Sequence, residues 1–143
     1  MSEETVAKPV ASIDDAAASG MGTTMTVALF DEEDGSVTIG HVGDSRAYRL
    51  RDRRLEQLTD DHSLVAELVR RGELSPQEAE VHPQRSVITR ALGTDPDVDV
   101  DAFSVAAEPG DVYLICSDGL SDMVDAGGLE EIVRRYREDL DAA

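Results

Sequence analysis

The chain has little aromatic or sulfur chemistry to draw on. Its 143 residues include no Trp, three Tyr, two Phe and a single Cys. One cysteine, Cys116, cannot form an internal disulfide, which suits a reducing compartment. With so few aromatic rings, Val, Leu and Ala must supply most of any core. Basic charge is also scarce: Lys and Arg total 13 against 31 Asp and Glu, a net charge of −18, and Lys8 is the only lysine. A sequence-independent nucleic-acid binder needs a basic surface to displace counterions from phosphates, so that class is excluded. Attraction to an anionic membrane is excluded on the same ground. No apolar run approaches the roughly 18 residues of a membrane-spanning helix. The opening Met1-Ser2-Glu3-Glu4 lacks the basic-then-apolar pattern of a secretory leader, so a cytoplasmic location is expected.

What is present is enough for one domain, since domains run to about 100–200 residues. A chain of this length buries roughly two thirds of the surface that its unfolded form exposes. The hydrophobic fraction of 41% is that of a folding chain. The acid excess has two readings: solubility or adaptation to salt, or a set of carboxylates that holds cations.

Residues 1–19 are polar and Ala-rich without a clean period and read as a loose lead-in. Thr24–Phe30 is β-rich and mostly apolar, which predicts a strand with both faces covered. Asp34-Gly35 is a turn signal that joins it to a second strand over Ser36–Val42, with Val37, Ile39 and His41 on one face. Gly43-Asp44-Ser45 is a tight loop before a strand over Arg46–Leu50, and Asp52-Arg53 turns that strand back toward Leu55–Leu58. Leu64, Val65, Leu68 and Val69 then form a helical stripe that Gly72 ends. Ser75-Pro76-Gln77-Glu78 is a capping box for a short helix that cannot pass Pro83. Val87–Leu92 is a β-type run. Phe103–Val105 and Val112–Cys116 predict further strands around the turn Glu108–Asp111, and the unbroken apolar Val112–Cys116 reads as a central strand. Leu129, Ile132, Val133, Tyr136 and Leu140 recur at helical spacing. Strands, a helical insert, more strands and a closing helix predict an α+β fold, not alternating βαβ units.

Two loops at strand ends combine a carboxylate with small residues. They are Gly43-Asp44-Ser45-Arg46 and Ser117-Asp118-Gly119-Leu120-Ser121-Asp122. Gly and Ser let backbone and water approach closely. If a helical turn begins at Asp118, then Asp118 and Asp122 share one face. Two like charges so placed repel unless a proton or cation lies between them. Hard cations such as Mg²⁺, and Mn²⁺ among transition metals, take carboxylate oxygens. Each loop alone is better explained as a turn former or helix cap.

Their order along the chain adds information. Gly20-Met21-Gly22-Thr23-Thr24 is followed by Val42-Gly43-Asp44-Ser45-Arg46 and Thr59-Asp60-Asp61-His62-Ser63. His82-Pro83-Gln84-Arg85, Ile88-Thr89-Arg90-Ala91-Leu92-Gly93 and Cys116-Ser117-Asp118-Gly119-Leu120-Ser121-Asp122 come after. This series resembles the bacterial metal-dependent serine/threonine protein phosphatases of type 2C over about residues 20–136. The resemblance implies a partial α-β-β-α sandwich of two antiparallel β-sheets flanked by helices, with Mg²⁺ or Mn²⁺ ions at one end. It implies that Asp118 serves the binuclear catalytic metal centre and that Asp44, Asp118 and Asp122 hold an additional metal. Residues 60–90 match a flap beside the active site, where Arg85 and Arg90 either touch substrate or form structural ion pairs. The implied chemistry is hydrolysis of phosphoserine or phosphothreonine in proteins by a water that two cations activate. The implied partners are a phosphoprotein substrate and a Ser/Thr kinase.

The sequence departs from the family pattern at both ends. No Arg precedes Arg46, no Asp-Gly-x-Gly-Gly segment occurs in residues 1–22, and no Asp-Asn pair follows Asp118. Family strands missing in this way leave sheet edges uncovered, so self-association is expected. A non-catalytic module that docks phosphoproteins or a kinase is the competing reading. The expected outcome for this polypeptide alone is little or no Mn²⁺-dependent phosphate release from a phosphopeptide. Substantial release that Asp118→Ala abolishes would contradict that expectation.

Overall fold

In a computed structural model, the structure describes residues 20–139. The lead-in proposed for residues 1–19, and Leu140 of the final stripe, lie outside the described residues. The elements are β1 (Met25–Asp31), β2 (Ser36–Val42), β3 (Arg46–Arg51), β4 (Arg54–Gln57), α1 (Leu64–Arg70), α2 (Pro76–Glu80), β5 (Asp101–Ala106), β6 (Val112–Cys116), α3 (Asp118–Ser121) and α4 (Ala126–Tyr136). The fold is α+β, with two three-stranded antiparallel sheets in the orders β1-β2-β5 and β4-β3-β6.

Local sequence explains most elements. β1 and β2 form the expected hairpin, with Asp31 opposite Ser36 and Gly35 at a φ of +63°. Asp52 and Arg53 both adopt positive φ, 50° and 67°, and so make the tight β3–β4 turn without glycine. Ser63 caps α1 by accepting from the Ala66 amide, and Gly72 follows its end at a φ of +76°. The Ser75–Glu78 capping box is formed in both directions, and α2 stops before Pro83. Asp125 caps α4 through the Gly128 amide, and α4 buries Leu129 and Val133.

The two sheets meet over Val37, Ile39 and Ala47, with Ala28, Phe103, Val105 and Tyr113 packed around them. Val37 and Ile39 are fully buried. One edge-on aromatic contact, Phe30 against Tyr113 at 5.4 Å, spans the sheets at the end far from Val42. Helix α4 packs along β3 and β4, where the Glu130 carboxylate accepts from the Leu55 amide at 2.9 Å.

Three expectations need correction. β1 does not have both faces covered: Met25, Val27 and Leu29 stand 45–59% exposed. β6 is an edge strand among the described residues, not a central one. An apolar run does not by itself fix what covers a strand's faces, and it says nothing about the strand's lateral neighbours. Val87–Leu92 forms no strand and contributes only single bridges, Ser63 to Ile88, Thr23 to Leu92 and Leu92 to Asp95.

At the Phe30–Tyr113 end, Arg51 grips Asp111 with two hydrogen bonds of 2.9 and 2.7 Å, and Glu108 lies 3.4 Å from the same guanidinium. The Arg51 hydrogen bonds hold the Asp111 carboxyl down to about 2. A depressed carboxyl stabilises the fold fully above its unfolded value, and that contribution is lost as pH falls through the folded one. Urea unfolding of the wild type and of Asp111→Asn should therefore differ by a constant amount above pH ~4 and converge as the pH drops toward about 2. A gap that does not depend on pH would refute this assignment.

Candidate functional site

Register places the candidate carboxylates together. β2 ends at Val42, the Asp44 loop follows, and β3 begins at Arg46 directly opposite Cys116, the last residue of β6. The Ser117–Asp122 segment thus emerges beside the Asp44 loop. Its first turn is the helical one anticipated, since the Asp122 amide donates to the Asp118 carbonyl at 2.8 Å.

The Asp44 loop is tightly built. Gly43 has a φ of +109°, and a Cβ placed there would come within 2.3 Å of the Thr24 side chain. The hydroxyls of Thr24 and Ser45 are 2.7 Å apart. On the far side of Asp44, Arg46 makes a two-pronged pair with Asp61 at 2.8 and 2.5 Å and donates to the Tyr48 hydroxyl at 3.1 Å. Asp61 is thereby ion-paired. Asp44, Asp118 and Asp122, in contrast, enter no ion pair among the described residues.

The electrostatic consequence is visible at Asp44. Burial pushes its carboxyl above the ordinary range, and the negative fields of Asp118, Asp61 and Asp122 push it the same way. The donor chemistry fits a hard divalent cation: carboxylate oxygens without a competing guanidinium, Asp44 half-buried and Asp118 and Asp122 exposed. What the three share is a field, not a closed cage. Among the described residues, no three or more His, Cys, Asp or Glu side chains are gathered tightly enough to hold one ion.

Sequence reasoning missed the polar residues behind this loop. The His62 ring is buried between Gly43 and Asp101 and lies 4.7 Å from the ring of His41. Burial pushes His41 below its ordinary value, and the neighbouring His62 adds to this against the Asp60 carbonyl bond. Burial would raise the Asp101 carboxyl, but hydrogen bonds from His62 and Arg90 outweigh it and leave the group below the usual range. The signal was present in the alternation of Val37, Ile39 and His41, which put a histidine on a core face. Arg90 forms the ion pair anticipated for it, 3.1 Å from Asp101. Arg85 reaches only the His82 carbonyl, at 3.5 Å. An open depression of about 620 Å³ lies beside Arg90, between Gly22–Thr24 and Ile88–Ala91.

The protein phosphatase 2C family model matches residues 2–143. The chain belongs to that family. It is 47% identical over 118 residues to serine/threonine phosphatase stp of Listeria monocytogenes, covering 82% of this chain and 46% of that protein. The solved serine/threonine phosphatase PstP/Ppp of Mycobacterium tuberculosis superposes with a TM-score of 0.76 at 45% identity, covering 80% of this chain and 48% of that one. A catalytic domain of the serine/threonine protein phosphatase PstP, solved with two manganese ions, superposes at 0.72 with 40% identity, covering 81% of this chain and 46% of that one. The chain spans about half the length of the curated phosphatase 2C relatives it matches.

The glycine in the Asp44 loop generates a direct prediction. Gly43→Ala should cost about 1–3 kcal/mol from backbone conformation alone, with the Thr24 clash added. Thermal unfolding checks this. A variant as stable as the wild type would show that the loop does not require this backbone.

Proposed function

We propose that this chain carries part of the cation-holding machinery of a metal-dependent phosphatase that acts on phosphoserine and phosphothreonine in proteins. One observation carries the reading: Asp44, Asp118 and Asp122 lie at one sheet end without ion pairs among the described residues, and burial with the charges of Asp118, Asp61 and Asp122 raises the Asp44 carboxyl. Asp44, Asp118 and Asp122 hold a Mg²⁺ or Mn²⁺ ion, and Asp118 also serves the catalytic centre. The names of the relatives and the manganese in one of their structures support this assignment.

A cation held there supplies Lewis acidity toward a phosphoryl group and its attacking water. The protein's own contribution is arrangement. Register brings the carboxylates to one end, Arg46 is occupied by Asp61, and the positive-φ Gly43 turn fixes where Asp44 leaves the sheet. A chain with a net charge of −18 repels a dianionic phosphoryl group unless bound cations invert the local sign. The α1–α2 excursion, residues 60–90, shapes access for the phosphoprotein, and a Ser/Thr kinase is the opposing partner. Among the described residues no helix is long and apolar enough to cross a membrane. The lone Cys116 thiol suits a reducing compartment, and on that ground we assign the protein to the cytoplasm. The outer face of β1, with Met25, Val27 and Leu29 exposed, is the surface through which copies self-associate.

Calorimetric titration of the full chain with Mn²⁺ tests the central assignment. Asp44→Asn, Asp118→Asn and Asp122→Asn should each weaken binding by about tenfold or more, since even outer-shell changes cost that much. Unchanged affinity in all three variants would overturn it.

A further inference from the structure

Both main-chain groups of Gly43, the residue before Asp44, are bonded to His62. The His62 amide donates to the Gly43 carbonyl at 2.8 Å, and the Gly43 amide donates to His62 Nδ1 at 2.9 Å. An amide can only donate, so Nδ1 carries no proton and the ring proton sits on Nε2. From there it donates to Asp101 Oδ2 at 2.8 Å. The other Asp101 oxygen accepts from Arg90 at 3.1 Å, and the Thr89 amide donates to the His62 carbonyl at 2.8 Å. The ring is 1% exposed, so no water competes for these bonds. His41, stacked beside it, is oriented in the same sense. Its Nε2 lies 2.9 Å from the Asp60 carbonyl and must donate, which leaves Nδ1 to accept from the Thr26 hydroxyl at 2.9 Å.

We infer that His62 is a positioning residue for Asp44: its neutral Nε2-protonated ring, anchored by Asp101, clamps Gly43 and so sets the direction in which the Asp44 carboxylate leaves the sheet. The inference rests on the assignment of Asp44 as a cation ligand. Two bonds from one residue to the main chain on one side, and the Arg46–Asp61 pair on the other, leave Asp44 little freedom to swing. A ligand held in place before the cation arrives loses less entropy on binding it. His62 touches no reacting atom; its effect passes through Gly43.

Two substitutions separate the two ring nitrogens. His62→Asn keeps an acceptor near the position of Nδ1 but is too short to reach Asp101. His62→Gln keeps a donor toward Asp101 but leaves the Gly43 amide without its acceptor. Mn²⁺ titration of the full chain, with unfolding measured on each variant, should find His62→Asn within about threefold of wild type and His62→Gln about tenfold weaker. Equal losses, or no loss in either variant, would overturn the inference. An Asp44→Asn control that binds Mn²⁺ as the wild type does would instead overturn the cation assignment on which the inference rests. Nitrogen-resolved NMR of the wild type provides a readout that depends on neither variant folding. It should find a proton-free Nδ1 coupled to the Gly43 amide. The opposite tautomer, or no coupling, would refute the clamp.

Discussion

The antiparallel register of β3 against β6 is the constraint on which the site depends. Arg46 faces Cys116 and Leu50 faces Val112, so the loops that carry Asp44 and Asp118 must leave the sheet at the same end. A slip of one residue would swap the faces of Ala47 and Tyr48, both buried, and press the larger side chain against Val37 and Ile39. It would also displace Asp118 from Asp44 by one strand residue, about 3.3 Å. The buried trio Val37, Ile39 and Ala47 forbids that slip. Core packing and site assembly are therefore the same event in this molecule.

Between the sheets, apolar contact gives way to polar chemistry at both ends. One end closes with Arg51, Asp111 and Tyr113, the other with Thr26, His41, His62 and Asp101. Burying such groups is tolerable only because each has a partner. The imidazoles suit this position because each offers one donor and one acceptor while neutral. A net charge of −18 makes that neutrality useful: the interior is ordered without more charge of either sign.

How much of this could be read from sequence depends on the range of the interaction concerned. The capping box at Ser75–Glu78, the turn at Asp34-Gly35 and the stripe of α4 are short-range and were legible. So was the helical turn that places Asp118 and Asp122 together. The edge position of β6 and the bare outer face of β1 were not, because what lies beside a strand or over its face is set by segments far away along the chain. The Arg46–Asp61 and His62–Gly43 contacts span 15 and 19 residues and were equally hidden, although both segments were visible as motifs. Arg90 was placed correctly as an ion-pair partner, while Arg85 found no carboxylate among the described residues.

The α1–α2 excursion departs and returns through adjoining points. The His62 carbonyl accepts from the Thr89 amide, and the Leu64 amide donates to the Val87 carbonyl. Everything between those bonds is a closed loop whose ends are already fixed by the sheet. Doubling the length of such a loop costs only about 0.6 kcal/mol in closure entropy. The excursion can therefore be rewritten by evolution almost without thermodynamic penalty to the aspartates beside it. Sequence divergence can accumulate there while the sheet end beneath stays unchanged.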